Sequence, residues 1–99
     1  MALGPTAYAA GTPALRVTSN QPFQVHGVRF HPGERVTVHL HAGELRRVRV
    51  LRATAAGAFF TTFSTVSISG CTAYLVTAFG SAGSHATLRR RLFVDCSPQ

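Results

Sequence analysis

Gly27-Val-Arg-Phe-His-Pro-Gly-Glu-Arg-Val-Thr-Val-His-Leu40 is the stretch on which the reading of the whole chain turns. Val36, Val38 and Leu40 alternate with Thr37, His39 and His41, so a strand here buries one face and wets the other. The four residues before it, His31-Pro32-Gly33-Glu34, carry type II turn chemistry. Pro32 presets φ at the first central position, and Gly33 supplies the positive φ needed at the second. Upstream, Phe23 and Val25, with Phe30, read as a preceding strand, and Gly27 as a bulge that re-aims its side chains. The expectation is a pair of antiparallel strands joined by the Pro-Gly turn.

Working outward, the remaining segments read the same way. Ala14 to Thr18 is a short edge strand ended by Ser19-Asn20, and Phe23 to Arg29 and Arg35 to His41 follow as the second and third strands. Beyond Ala42-Gly43, Glu44 to Ala53 has Val48 and Val50 on one face and Arg47, Arg49 and Leu51 on the other, which predicts a strand with a basic wet side. Leu45, Val48 and Leu51 also recur at a spacing of three, but the β-branched content favours a strand over a helix. Thr54 to Gly57 is a turn. Ala58 to Val66 groups Phe59, Thr61 and Phe63 with Phe60 opposite, and Ser67 to Gly70 is a polar loop.

Cys71 to Phe79 and His85 to Asp95 are the last two strands. A two-residue Gly83-Ser84 loop would set Ala82 opposite His85 and, counting back, Cys71 opposite Cys96, sending Leu75 and Phe79 inward with Leu88 and Leu92. A loop one residue longer would instead turn Tyr74, Val76 and Ala78 inward, because a one-residue slip exchanges the faces. Seven short strands with regular turn signals and no βαβ alternation predict an all-β, two-sheet antiparallel sandwich.

At 99 residues this is one domain, residues 14 to 99, preceded by an uncharged Ala/Gly/Thr/Pro-rich segment, residues 1 to 13, that reads as a flexible arm or linker. That segment has neither the basic start nor the apolar run of a signal peptide. No run is long and apolar enough to span a membrane. So small a domain buries only about 60 to 70 % of its unfolded surface. A disulfide between Cys71 and Cys96 is therefore expected, and with it an oxidising, extracytoplasmic compartment; two reduced, buried cysteines are the alternative. All ten basic residues besides histidine are arginine, and with three acids the formal charge is +7, which favours polyanionic partners.

The run Val25-x-Gly27-x-x-Phe30-x-Pro32-Gly33-Glu34-x-Val36-x-Val38, then Gly57-x-Phe59, then Tyr74-x-Val76-x-Ala78, resembles the immunoglobulin-like sandwich modules of secreted and surface proteins of Gram-positive bacteria, actinobacteria especially. The resemblance covers most of residues 14 to 95. It implies an immunoglobulin-like sandwich, an address in the cell envelope or outside the cell, and a role as spacer, adhesion unit, or binder of protein or glycan; fold does not fix function. The Cys pair and the density of Arg depart from many such modules.

Catalysis would need a nucleophile with an oriented base or a pair of carboxylates. Glu34 in a turn, Glu44 at a hairpin and Asp95 beside Cys96 offer no such pair, and no spaced catalytic motif occurs, so no enzyme and no cofactor is expected. His39 and His41 share one face, but a zinc site takes three or four ligands, so no metal is assigned.

In an immunoglobulin-like sheet the last hairpin pairs with the third strand, whose far neighbour would be Glu44 to Ala53. With Tyr74, Val76 and Ala78 inward, Arg47, Arg49, Arg89, Arg91, His39 and His41 fall on one outer face, with Leu75 and Phe79 among them. That face is the candidate site for an acidic polymer such as an anionic glycan, a wall polymer or nucleic acid. A merely solvated face, whose charge discourages edge pairing, is the alternative. Arg90 alternates with Leu88 and Leu92 and must snorkel to an edge or sit at a bulge.

Overall fold

The computed structural model describes residues 12–68 and 72–91. Within them the alternation around the Pro-Gly turn does what the pattern requires: Val36, Val38 and Leu40 are fully buried, while Thr37, His39 and His41 face outward. Seven strands form: β1 (Ala14–Asn20), β2 (Phe23–Val28), β3 (Arg35–Ala42), β4 (Leu45–Arg52), β5 (Phe59–Phe63), β6 (Tyr74–Gly80) and β7 (His85–Arg90). All neighbours are antiparallel, in a three-stranded sheet ordered β1-β2-β5 and a four-stranded sheet ordered β4-β3-β6-β7. The described residues contain no helix. The core lies between the sheets, built on Phe23, Val25, Phe30, Phe59 and Phe63 from the β1-β2-β5 side and on Val36, Val38, Leu40, Tyr74, Val76 and Ala78 from the other.

The Pro-Gly turn forms as expected, with Gly33 at φ 73° and the Glu34 amide donating to the His31 carbonyl at 3.2 Å. It does not join paired strands, however. β2 pairs with β1 and β5 while β3 pairs with β4 and β6, so the turn carries the chain from one sheet to the other. Burying Val25 and Val38 on facing sheets puts both alternating faces to use, which a flat two-stranded hairpin could not do. Gly27 is not a bulge either. It pairs regularly with Leu15 and Phe59, and a Cβ there would collide with the Phe59 ring; the irregularity lies in β1, between Val17 and Ser19. Val66 and Ile68 fall beyond β5, where the pattern suggests a strand end and a polar loop, yet both reach the core, and the Ile68 amide donates to the Asn20 carbonyl at 2.9 Å.

The last hairpin takes the longer-loop register. Ser81, Ala82 and Gly83 form a three-residue connection, with the Gly83 amide on the Gly80 carbonyl at 3.0 Å and the Gly80 amide on the Ser84 carbonyl at 2.7 Å. Phe79 therefore faces His85, and Tyr74, Val76 and Ala78 are the buried set. The counting that set Ala82 opposite His85 rested on the tighter loop and does not hold. Cys71 and Cys96, and with them their pairing, lie outside the described residues, like the arm over residues 1–11.

Glu34 explains why the loop is longer. Its buried carboxylate accepts the amides of His31 and Ala82, each at 2.8 Å, and is hydrogen-bonded by Ser84, so it clasps the β2–β3 turn to the β6–β7 loop. Gly80 packs directly on it, where any side chain would clash. Burial alone would raise the Glu34 pKa. The hydrogen bonds from Ser84, Ala82 and His31, with the nearby His31 ring, outweigh burial and hold the carboxyl below its ordinary value.

Candidate functional site

The face of β4 is set by its hairpin with β3. A two-residue turn, Gly43-Glu44, with Gly43 at φ 63°, makes Ala42 and Leu45 partners and thereby fixes every later pair: Leu40 with Arg47, His39 with Val48, Val38 with Arg49, Thr37 with Val50. Arg47 and Arg49 thus share the inner side with Leu40 and Val38, and Val48 and Val50 the outer side with His39 and Thr37. This reverses the expected orientation. The tight turn decides: with Ala42 paired to Leu45, the face turned inward also carries Leu45 and Leu51, which pack on the core, and the two valines fall on the other side of this edge strand. Val48 and Val50 stay 55 % and 60 % exposed. Arg49 emerges at the side of the sandwich with its guanidinium carbon 5.7 Å from the centroid of Phe63 in the opposite sheet.

The outer face of the four-stranded sheet then reads in rows: Arg46, His41, Leu75, Arg89; Val48, His39, Thr77, Thr87; Val50, Thr37, Phe79, His85; Arg52 and Arg35. Phe79 is 48 % exposed, stacked on His85 at 4.9 Å and met edge-on by His39 at 6.0 Å. Neither Glu34 nor Glu44 lies on this face. Among the sequence-predicted residues, His39, His41 and Arg89 are on it, and His41, Arg89 and Arg91 line one open groove of about 400 Å³, floored by Leu75 and Tyr74. Arg47 and Arg49 are not part of it. In their place stand Arg46 and Arg52, with Arg35 and His85, none of which the strand pattern alone singles out. The Ala42-Gly43-Glu44-Leu45 turn is the signal for them, since a two-residue loop fixes the register of the strand it leads into.

Arg90 points inward, opposite Tyr74, with its guanidinium carbon 4.7 Å from the Tyr74 centroid and Nε and Nη2 donating to the Thr72 carbonyl at 3.1 and 2.8 Å. It reaches this position without a bulge.

One cluster has the composition of a catalytic triad. His31 Nδ1 lies 2.8 Å from Ser84 Oγ and 3.6 Å from Glu34 Oε2. Both contacts are made through the same ring nitrogen, so the imidazole does not stand between hydroxyl and carboxylate as a base must, and Ser84 is itself buried against the acid. The arrangement is a structural clasp. No group of three or more His, Cys, Asp or Glu side chains suited to a metal occurs among the described residues. No family profile, no curated protein and no solved structure matches the chain.

Proposed function

We propose that this chain is a non-catalytic, immunoglobulin-like sandwich module of the cell envelope or the extracellular space that binds an acidic polymer through the outer face of its four-stranded sheet. The observation that carries the reading is the make-up of that face. Arg35, Arg46, Arg52 and Arg89 surround the exposed Val48, Val50 and Phe79, three histidines lie between them, and neither Glu34 nor Glu44 offsets them. Basic groups around apolar contacts attract a polyanion at long range and hold its backbone at short range. The strand order supports an immunoglobulin-like arrangement in which the fourth strand pairs with the third instead of joining the first sheet. The envelope address rests on the Cys71 and Cys96 pair, and a native mass two hydrogens short of the reduced chain is the expected sign of the bridge.

Retention on immobilised heparin, DNA and polyglutamate tests the binding. Retention should fall steeply with salt, the slope of log K against log salt reporting the number of anionic contacts. R46A/R89A should elute at clearly lower salt and flatten that slope by about two. R16A/R29A, which removes the same charge from elsewhere on the molecule, should behave like the parent. Equal losses for the two variants would mean net charge alone acts, and the face would lose its assignment.

A further inference from the structure

Three strands face four in this sandwich, and the two sides where the sheets meet differ. β1 lies alongside β7 and β5 alongside β4. On β7 the inward Ala86 is buried and Leu88 half-buried, but on β4 the inward Arg47 and Arg49 are exposed. At either end of that inward face Leu45 and Leu51 pack on the core, and between them Arg47 and Arg49 stay exposed beside β5, with Arg49 over the Phe63 ring. The lane in question is the outer edge of β5: the strand's inner edge pairs with β2 from Phe23–Phe63 to Gly27–Phe59, and its outer edge pairs with no strand among the described residues.

The composition of β5 suits pairing. Phe59-Phe60-Thr61-Thr62-Phe63 is all aromatic or β-branched, with no charge and no proline, the kind of edge that accepts another strand unless guarded. The lane also selects by side chain. A strand added to β5 would alternate, one set of residues facing inward toward Arg47 and Arg49 and the other set outward beside Phe60, which is 67 % exposed and stacked on His26 at 4.3 Å. We infer that the outer edge of β5 is a strand-addition site for an extended peptide segment of alternating acidic and apolar residues. Its backbone would continue the ladder, its carboxylates would meet Arg47 and Arg49, and its apolar residues would cover Phe60. A second copy of this chain fits poorly, because pairing β5 with its own mate would bring both copies' Arg47 and Arg49 to one seam.

The probes are two capped eight-residue peptides, one alternating valine with glutamate and one alternating valine with lysine, added to the isotopically labelled full chain. Amide exchange and chemical shifts are read by NMR. The glutamate peptide should slow exchange of amides within residues 59–63 at least tenfold, and the lysine peptide should not. R47E/R49E, whose fold is checked by circular dichroism, should reverse that preference. R46A/R89A, altered on the polymer-binding face instead, should leave it intact. Protection appearing outside β5, or a preference unmoved by R47E/R49E, would overturn the inference. The same protection from a heparin oligosaccharide would reassign the lane to the polymer, and β5 protection in a peptide-free, concentration-dependent dimer would reassign it to self-pairing.

Discussion

Replacing Glu34 with Gln probes the clasp with almost no change in shape. The carboxylate takes two backbone amides, one on each oxygen, and a bond from Ser84. Glutamine keeps a single acceptor oxygen, so its NH2 must face either the His31 or the Ala82 amide, donor against donor, in a site only 6 % exposed. Losing one charge-assisted hydrogen bond costs about 1.5–3 kcal/mol, and stranding a buried donor adds to it, so E34Q should lose about 3 kcal/mol. For a domain this small that lowers Tm by about 12–24 °C, at about 4–8 °C per kcal/mol. The pH dependence gives a second readout. Because the folded pKa of Glu34 is depressed, the unfolded chain binds more protons between the folded value and the ordinary one of about 4.3. The clasp's contribution is therefore complete above about pH 4.3 and is lost as pH falls through the folded pKa. Scanning calorimetry from pH 7 to pH 3 should show the parent approaching E34Q in Tm at the acid end. With only two other side-chain carboxylates in the sequence, few groups can mimic this behaviour. A Tm for E34Q within about 3 °C of the parent at pH 7, or two parallel pH profiles, would refute the clasp.

Neighbouring arginines should part company: R90A, which removes the contact with Tyr74 and the bonds to Thr72, should lose about 1–2 kcal/mol in urea unfolding, whereas R89A should stay within about 0.5 kcal/mol of the parent. G27A should cost about 1–3 kcal/mol through collision with the Phe59 ring, and a double-mutant cycle should show the cost shrinking in the F59L background. L40A empties a fully buried site between the sheets and should cost about 2–5 kcal/mol by the same measurement.

Within the described residues, local chemistry alone determined the seven strands to within a few residues, the type II turn at His31 to Glu34, and the inward sets of β3 and β5. At each of these places alternation and turn residues agree, and a period of two admits only one buried face. Tertiary structure decided what local pattern left ambiguous. In β4 both faces carry residues that look plausible on either side, valines against arginines, and the register set by the Gly43-Glu44 turn chose between them. In β6 both faces are partly apolar, and the choice fell to a loop clasped by Glu34, which bonds the nearby His31 amide as its turn allows but also the Ala82 amide, 48 positions further along the chain. The β3–β4 register moved Arg47 and Arg49 from the expected binding face to the inward side of β4 and put Arg46 and Arg52 in their place. A charge's position along a strand is local information, whereas the side of the sheet it occupies depends on register with a neighbour, and its exposure depends on whether the opposite sheet reaches that far.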